Sequence, residues 1–311
     1  MSTNHSEAIQ ARIRPYQPRD EKQVRFMVGQ AQMEPLAFAN NRGQCEQTSF
    51  AAPTDAKNRP AAYFHPVTLA IWIAVSSIFA QFMKWWPDPS NGFWGYIFVL
   101  PAFFTPAVPI MFFIDWINRP DVEETAEKVL RRPDLYDISA YYSRSPASGF
   151  WILEYSDRII GLIAVDASLD ATLDEPVAQP VSEQQIKKLL HGKGTAPVAV
   201  IRHFFIEEAY RPADVEEDLL RYAVGAAFEA KQEVSEVRAL GSPLRPSVEK
   251  SLCASGFTRK ERVRTTGILR WDTNWYTLER KQWQAQEEVG ARSVVVEDTK
   301  HKTVIATTET P

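Results

Sequence analysis

Residues Ala196 to Leu240 read APVAVIRHFFIEEAYRPADVEEDLLRYAVGAAFEAKQEVSEVRAL. This stretch decides the fold. Its opening, Ala196 to Ile206, is rich in Val, Ile and Phe and reads as a strong strand. From Asp214 to Lys231 the apolar residues Val215, Leu219, Ala223, Ala227 and Phe228 recur at helical spacing. Ser235 to Leu240 then reads as a second strand. A strand, a helix and a further strand in this order predict an α/β (α+β) domain.

Downstream, Pro246 to Ala254 reads as a short helix, and Phe257 to Val263 and Thr266 to Trp271 as paired strands. The chain from Trp283 onward is polar. Upstream, Gly149 to Tyr155 and Arg158 to Ala167 are strand-like and flank Ser156-Asp157, a tight hairpin turn. Ser168 to Thr195 is a polar, acidic loop with one helical turn near Gln184 to Leu190. Asp121-x-x-Glu124 behind Pro120 has capping-box character and opens a helix that Pro133 stops. A shorter helical piece covers Leu135 to Tyr142. At the front, Arg12 to Tyr16 is a short strand. Asp20 to Glu34 is a helix with Val24, Met27, Val28 and Ala31 on one face, and Asn40 to Pro60 has no periodicity and reads as a linker.

Composition narrows the function classes. Of 311 residues, 45% are hydrophobic and 12% aromatic, which excludes a wholly disordered chain. The net charge of -4 supplies no global basic field, so nucleic acid is not an expected partner. Two cysteines, Cys45 and Cys253, make neither a disulfide scaffold nor a Cys-rich zinc site. No metal ligand set is expected. Cys253 reads as a small buried hydrophobe.

Two runs lack any Asp, Glu, Lys or Arg: Val67 to Met83 and Phe93 to Ile114. A helix needs about 20 apolar residues to cross a bilayer core. The second run meets that length alone, the first with its flanks. Between them lies the turn-rich KWWPDPSNG, with Trp85, Trp86, Trp94 and Tyr96 placed for one interface. Pro101, Pro106 and Pro109 predict a kink in the second run. The expectation is an inserted two-helix transmembrane hairpin, contacting lipid through residues 67–83 and 93–114. Arg42, Lys57 and Arg59 before it and Arg119 after it favour both termini in the cytosol. The N-terminus has no hydrophobic core of a secretory signal. The expected organisation is an N-terminal strand and helix (1–41), a linker (42–60), the hairpin (61–116), the rest of the folded domain (117–282) and a polar tail (283–311).

The order of elements resembles the GNAT N-acetyltransferase fold. Arg12-Ile13-Arg14-Pro15 is similar to that family's opening strand, and Phe150 to Glu154 and Ile159 to Ala164 to its second and third strands. Phe205-Ile206, Tyr210-Arg211 and Leu219-Leu220 resemble the strand–loop–helix unit that holds the acyl-carrier thioester. Ser255-Gly256-Phe257 resembles the Leu-Gly-Phe that ends a later helix. The resemblance implies a mixed, mostly antiparallel sheet flanked by helices, with the hairpin inserted between the first two helices.

It also implies a cofactor, acetyl-CoA, and a place for it. The family's loop reads Arg/Gln-x-x-Gly-x-Gly/Ala before a helix, and its glycines let the backbone approach a pyrophosphate. Carried onto this chain, the cofactor contacts would fall on Phe205, Ile206, Arg211, Pro212, Ala213, Asp214, Val215 and Glu216. Arg211 matches the first position, but Asp214 and Glu216 stand where the glycines belong, and Glu217 and Asp218 follow. One carboxylate 4 Å from a phosphate charge opposes it by roughly 4 kcal/mol at an effective dielectric of 20. The family's general-acid Tyr maps onto Leu252, which has no proton to give. A general base would come from His203 or Glu207.

The reading is a membrane-anchored GNAT-like protein with a cytosolic domain, its acyl transfer weak or lost and its acetyl-CoA loop degenerate. If active, it moves an acyl group from a CoA thioester to an amine. The alternative is a non-catalytic endoplasmic-reticulum packaging or binding protein for a membrane transporter.

Overall fold

Ser156 and Asp157 both take positive φ, 50° and 60°. Two successive left-handed residues make the two-residue turn whose twist matches that of a hairpin. It joins β2 (Gly149–Tyr155) to β3 (Arg158–Asp166) in an antiparallel pair. The computed structural model describes residues 11–41, 66–86, 100–171, 190–266 and 270–288, with 97 and 184. β1 (Arg12–Pro15) lies antiparallel on β2, and β4 (Val198–Ile206) antiparallel on β3. β5 (Glu236–Gly241) runs parallel to β4, the direction that a helical crossover allows. β6 (Thr258–Thr266) and β7 (Trp271–Glu279) follow, giving a seven-stranded sheet in the order β1-β2-β3-β4-β5-β7-β6. This is the mixed, mostly antiparallel sheet that the GNAT-like reading requires.

Helices cover both faces. α1 (Glu21–Asn41) brings Val24, Met27, Val28 and Ala31 onto Ile152, Leu162 and Phe205. α2 (Pro66–Phe82), α3 (Leu100–Phe104), α4 (Ala107–Leu130) and α5 (Ile138–Tyr142) precede β2. On the other face α6 (Val215–Ala230) buries Leu219, Leu220, Ala223, Ala227 and Phe228 against Ile163, Val165, Ile206 and Val237. Each large side chain so buried contributes about 1.5–3 kcal/mol. α7 (Pro246–Ala254) follows β5.

β4 is the strand that shapes the site. Its pairing with β5 covers only Val198 to Ile201, and beyond that the two strands part. Against β3 the register jumps from Ala164↔His203 to Val165↔Ile201, so Arg202 is the extra residue of a β-bulge. Gly161 lets β3 come close to the end of β4, since a Cβ there would lie 2.8 Å from Ile206.

The structure corrects several expectations. Among the described residues only one helical stretch, Leu100–Leu130 (α3 and α4 with the short turn between them), is long and apolar enough to cross a membrane; Pro66–Phe82, at 17 residues, falls short. The two-span hairpin therefore reduces to one candidate span with a shorter apolar companion. No new helix opens at Asp121. α4 runs straight through Pro120, so the expected boundary at 116/117 falls inside a helix. A proline inside a helix removes its own N–H donor and crowds the carbonyl four residues before it, a cost that this long helix bears without ending. α1 continues past Glu34 to Asn41. The strand expected at Thr266–Trp271 lies instead at Trp271–Glu279. Residues 280–288 are helical, and Trp283 packs on Phe228 with ring centroids 5.4 Å apart, so the polar tail begins later than Trp283. Cys253 is exposed, not buried. The linker expected at 42–60 lies outside the described residues, as do most of the acidic loop and the end of the tail.

α2 and α3 meet through small residues, Ala80 and Ala102, both fully buried. At the break between α3 and α4 the Phe103 carbonyl accepts from the Trp72 indole at 2.6 Å. Elsewhere these helices turn apolar groups outward: Ile78, Phe82, Val108 and Phe112 are each about two-thirds or more exposed. α1 meets α4 where the apolar run ends, Asn40 donating to Asp115 at 2.7 Å and accepting from Asn118 at 3.0 Å.

Candidate functional site

The mouth of α6 begins at the end of β4. A 3-10 turn, Glu208–Ala213, leads to Asp214, whose φ of 52° and ψ of 18° are left-handed. That is backbone a glycine would adopt freely, and Asp is among the few other residues that tolerate it. The loop thus keeps a glycine-like shape without the glycine. Two of its amides are paired within the loop: Asp214 N–H donates to the Arg211 carbonyl at 3.2 Å, and Glu217 N–H to the Asp214 carbonyl at 3.0 Å. Glu216, Glu217 and Asp218 fill the first helical turn, where they favour the helix dipole.

Arg211 is engaged on every side. Its terminal nitrogens hold both carboxylate oxygens of Glu34, at 2.7 and 3.0 Å, and its Nε donates to the Ile206 carbonyl at 3.0 Å. Glu216 lies 3.5 Å from the same Nε. Glu216 is buried and accepts from Ser251 Oγ at 3.0 Å. Burial pushes its carboxyl above the ordinary range, while Ser251 and Arg211 pull the other way. Phe205 and Ile206 are buried core residues, Pro212 and Ala213 belong to the 3-10 turn, and Val215 packs against the core. A pyrophosphate needs free donors and an unopposed positive field. Here the arginine is spent on Glu34 and the helix mouth carries acids, so these residues do not fit that group.

His203 sits on β4 with its ring almost fully buried. Its Nε2 is 2.7 Å from Asp134 Oδ2, and the Tyr142 hydroxyl donates to the same oxygen at 3.1 Å. Burial opposes the Asp134 charge, but His203, Arg202 and Arg132 outweigh it and hold the carboxyl at about 2. His203 is thus tied into a buried knot, with its Nδ1 also buried. Glu207 is elsewhere engaged, accepting from Arg158 at 2.9 and 3.1 Å. The two base candidates are held by different partners. Leu252 is fully buried in the core beside Tyr276, whose hydroxyl is bonded to Glu249. The Cys253 thiol is pushed up by partial burial and by Glu249, the opposite of activation. Among the described residues no group of three or more His, Cys, Asp or Glu is placed to hold a metal ion.

Sequence reasoning missed the basic lining of a second feature. Where β4 and β5 part there is a cavity of about 110 Å³, walled also by α1 and α4. Four arginines line it: Arg132, Arg202, Arg245 and Arg264. Arg202 is anchored to Asp166 at 2.7 Å. Arg245 donates to the Phe204 carbonyl at 2.7 Å, and burial lowers its affinity for its proton. One signal was legible: Arg202 stands inside the apolar run VAVIRHFFI, and a charge in a buried strand demands partners.

No family model matches the chain, and no curated protein matches it. Solved structures do. A GNAT-family acetyltransferase from Staphylococcus aureus Mu50 is 15% identical, with 47% of this chain and 76% of that one covered at a TM-score of 0.33. One from Streptococcus pneumoniae is 9% identical, with 44% and 70% covered at 0.33. A putative GNAT-family acetyltransferase from Desulfovibrio desulfuricans is 13% identical, with 51% and 82% covered at 0.34. Similarity of this size carries no argument about activity.

Proposed function

We propose that this chain is a membrane-anchored GNAT-like protein whose acyl transfer is weak or lost. One observation carries the reading. Arg211, which the family resemblance assigns to the phosphate loop, is clamped by Glu34 and bonded to the Ile206 carbonyl. Leu252 at the general-acid position and the buried His203 point the same way. Anchoring is supported by the many large apolar side chains that α2 and α4 turn outward, which water does not favour.

Two experiments test this. Full-length protein in detergent, given acetyl-CoA and a panel of amines, releases no CoA above buffer; turnover at ordinary enzymatic rates, about 1 s⁻¹ or more, contradicts the reading. Membranes from cells expressing the chain retain it through alkaline carbonate; release without detergent contradicts integral insertion.

A further inference from the structure

β6 and β7 close one side of the sheet, with β6 at its edge. From Thr258 to Asp272 the sequence holds Arg259, Lys260, Arg262, Arg264 and Arg270 against Glu261 and Asp272. That is an excess of three positive charges in a chain whose net charge is -4. Most of β6 is exposed on both of its faces. Charged side chains guard an edge strand against pairing with another chain, and two register shifts already bend this one. Guarding an edge asks for charge of either sign. It does not account for an excess of one.

The placement of the hairpin supplies a reason. A Cβ on Gly29 of α1 would lie 3.7 Å from Leu130, while Asn40 bonds Asp115 at 2.7 Å. The C-terminal end of α1 is therefore the end beside the apolar run, which closes at Ile114. There Ala39 and Phe38 pack with Leu244 and Trp271, and Trp271 pairs with Thr266 across β7 and β6. The turn end of the hairpin thus stands near the point where α4 leaves its apolar run. Trp116, 61% exposed just past Ile114, is the residue type that favours a bilayer interface. Asp115 is met by Arg119 at 2.6 Å, which offsets its charge. At about 3.3 Å per residue, Arg264 and Arg262 lie about 7 and 13 Å along β6 from Thr266.

We propose that the basic β6–β7 edge rests on the bilayer surface and attracts anionic lipid headgroups. This contact presupposes the anchored reading above and adds to it the chemistry of the lipid. Attraction to a charged surface draws on the net charge of the hairpin, whatever hydrogen bonds its arginines make within the protein. Arg259 bonds the neutral Asn274, and Arg262 meets Asp272 only at 3.5 Å with both partly exposed. A basic side chain close to an anionic surface strengthens attachment about fivefold.

The test places a probe between the two arginines, at Val263, which is 42% exposed. The full-length chain carrying C45S, C253S and V263C is labelled with a fluorophore and inserted into nanodiscs whose headgroups bear a nitroxide quencher. Co-elution with the discs scores anchoring by itself. A chain that elutes free of them overturns the anchored reading and this contact with it. In discs that retain the chain, quenching is at least about twofold stronger with phosphatidylserine present than with phosphatidylcholine alone. The difference disappears at about 1 M salt, where the screening length is about 3 Å. R262Q/R264Q removes most of it. R19Q/K22Q, about 30 Å away at the other end of α1, leaves it in place. The salt reversal is read without substituting any basic residue, so it holds whether or not R262Q/R264Q folds. Equal quenching in the two lipids, or equal loss from both double variants, overturns the proposal while the anchor stands.

Discussion

The mouth of α6 and the cavity between β4 and β5 lie at neighbouring strand ends, yet they handle charge in opposite ways. In the mouth, Arg211 meets Glu34 and Glu216, and the helix begins with acids. In the cavity, four arginines line one space, no Asp or Glu stands among its described lining residues, and Arg202 is held by Asp166. A region that mixes both signs of charge neutralises itself, whereas the cavity gathers positive charge along one wall. The difference is one of placement: the acids stand at the helix mouth itself, and outside the described lining of the cavity.

The largest expected effect is at the buried knot that belongs to neither region. Asp134→Ala strands His203 and Tyr142 without their partner and costs about 3–5 kcal/mol in urea unfolding. A loss below about 1 kcal/mol would mean that His203 is not held for structure, and its role as a base would reopen. The pH dependence has a definite sign. The Asp134 carboxyl is held at about 2, below its ordinary 3.8, so its stabilisation is complete above 3.8 and disappears as pH falls through about 2. Acid unfolding of D134A should lack that component.

A smaller effect is expected in the mouth. Glu34→Ala removes a paired acceptor from Arg211 and costs about 1.5–3 kcal/mol, read as a lower urea midpoint at unchanged slope. No loss would show that the mouth is not self-neutralised. The smallest effect is conformational. Because Asp214 is left-handed, D214A should be about 1 kcal/mol less stable than D214G. Its ion pair with Lys250 is exposed at both ends and contributes little to that difference.

Much of the sheet was legible because local chemistry dictates it. Ser156-Asp157 makes its turn where expected, and the helix from Val215 follows its apolar spacing. β7 was misplaced because its sequence, WDTNWYTLE, buries Thr273, Asn274 and Thr277, and polar residues at inward positions erase the strand pattern. The charged clusters were illegible for another reason. Glu34 and Arg211 are 177 residues apart, and Asp134 and His203 are 69 apart, so only the folded sheet brings them together. The cavity wall shares that origin, drawing on α4, β4, β6 and the segment between β5 and α7.

We propose that the mouth of α6 turns its charges on itself and does not receive a nucleotide. Calorimetric titration of acetyl-CoA into the wild-type protein, beside the D214G/E216G variant, tests it most directly. The account predicts no saturable binding by wild type, and binding regained by the variant as two carboxylates leave the loop. Micromolar binding of acetyl-CoA by the wild-type chain would contradict it.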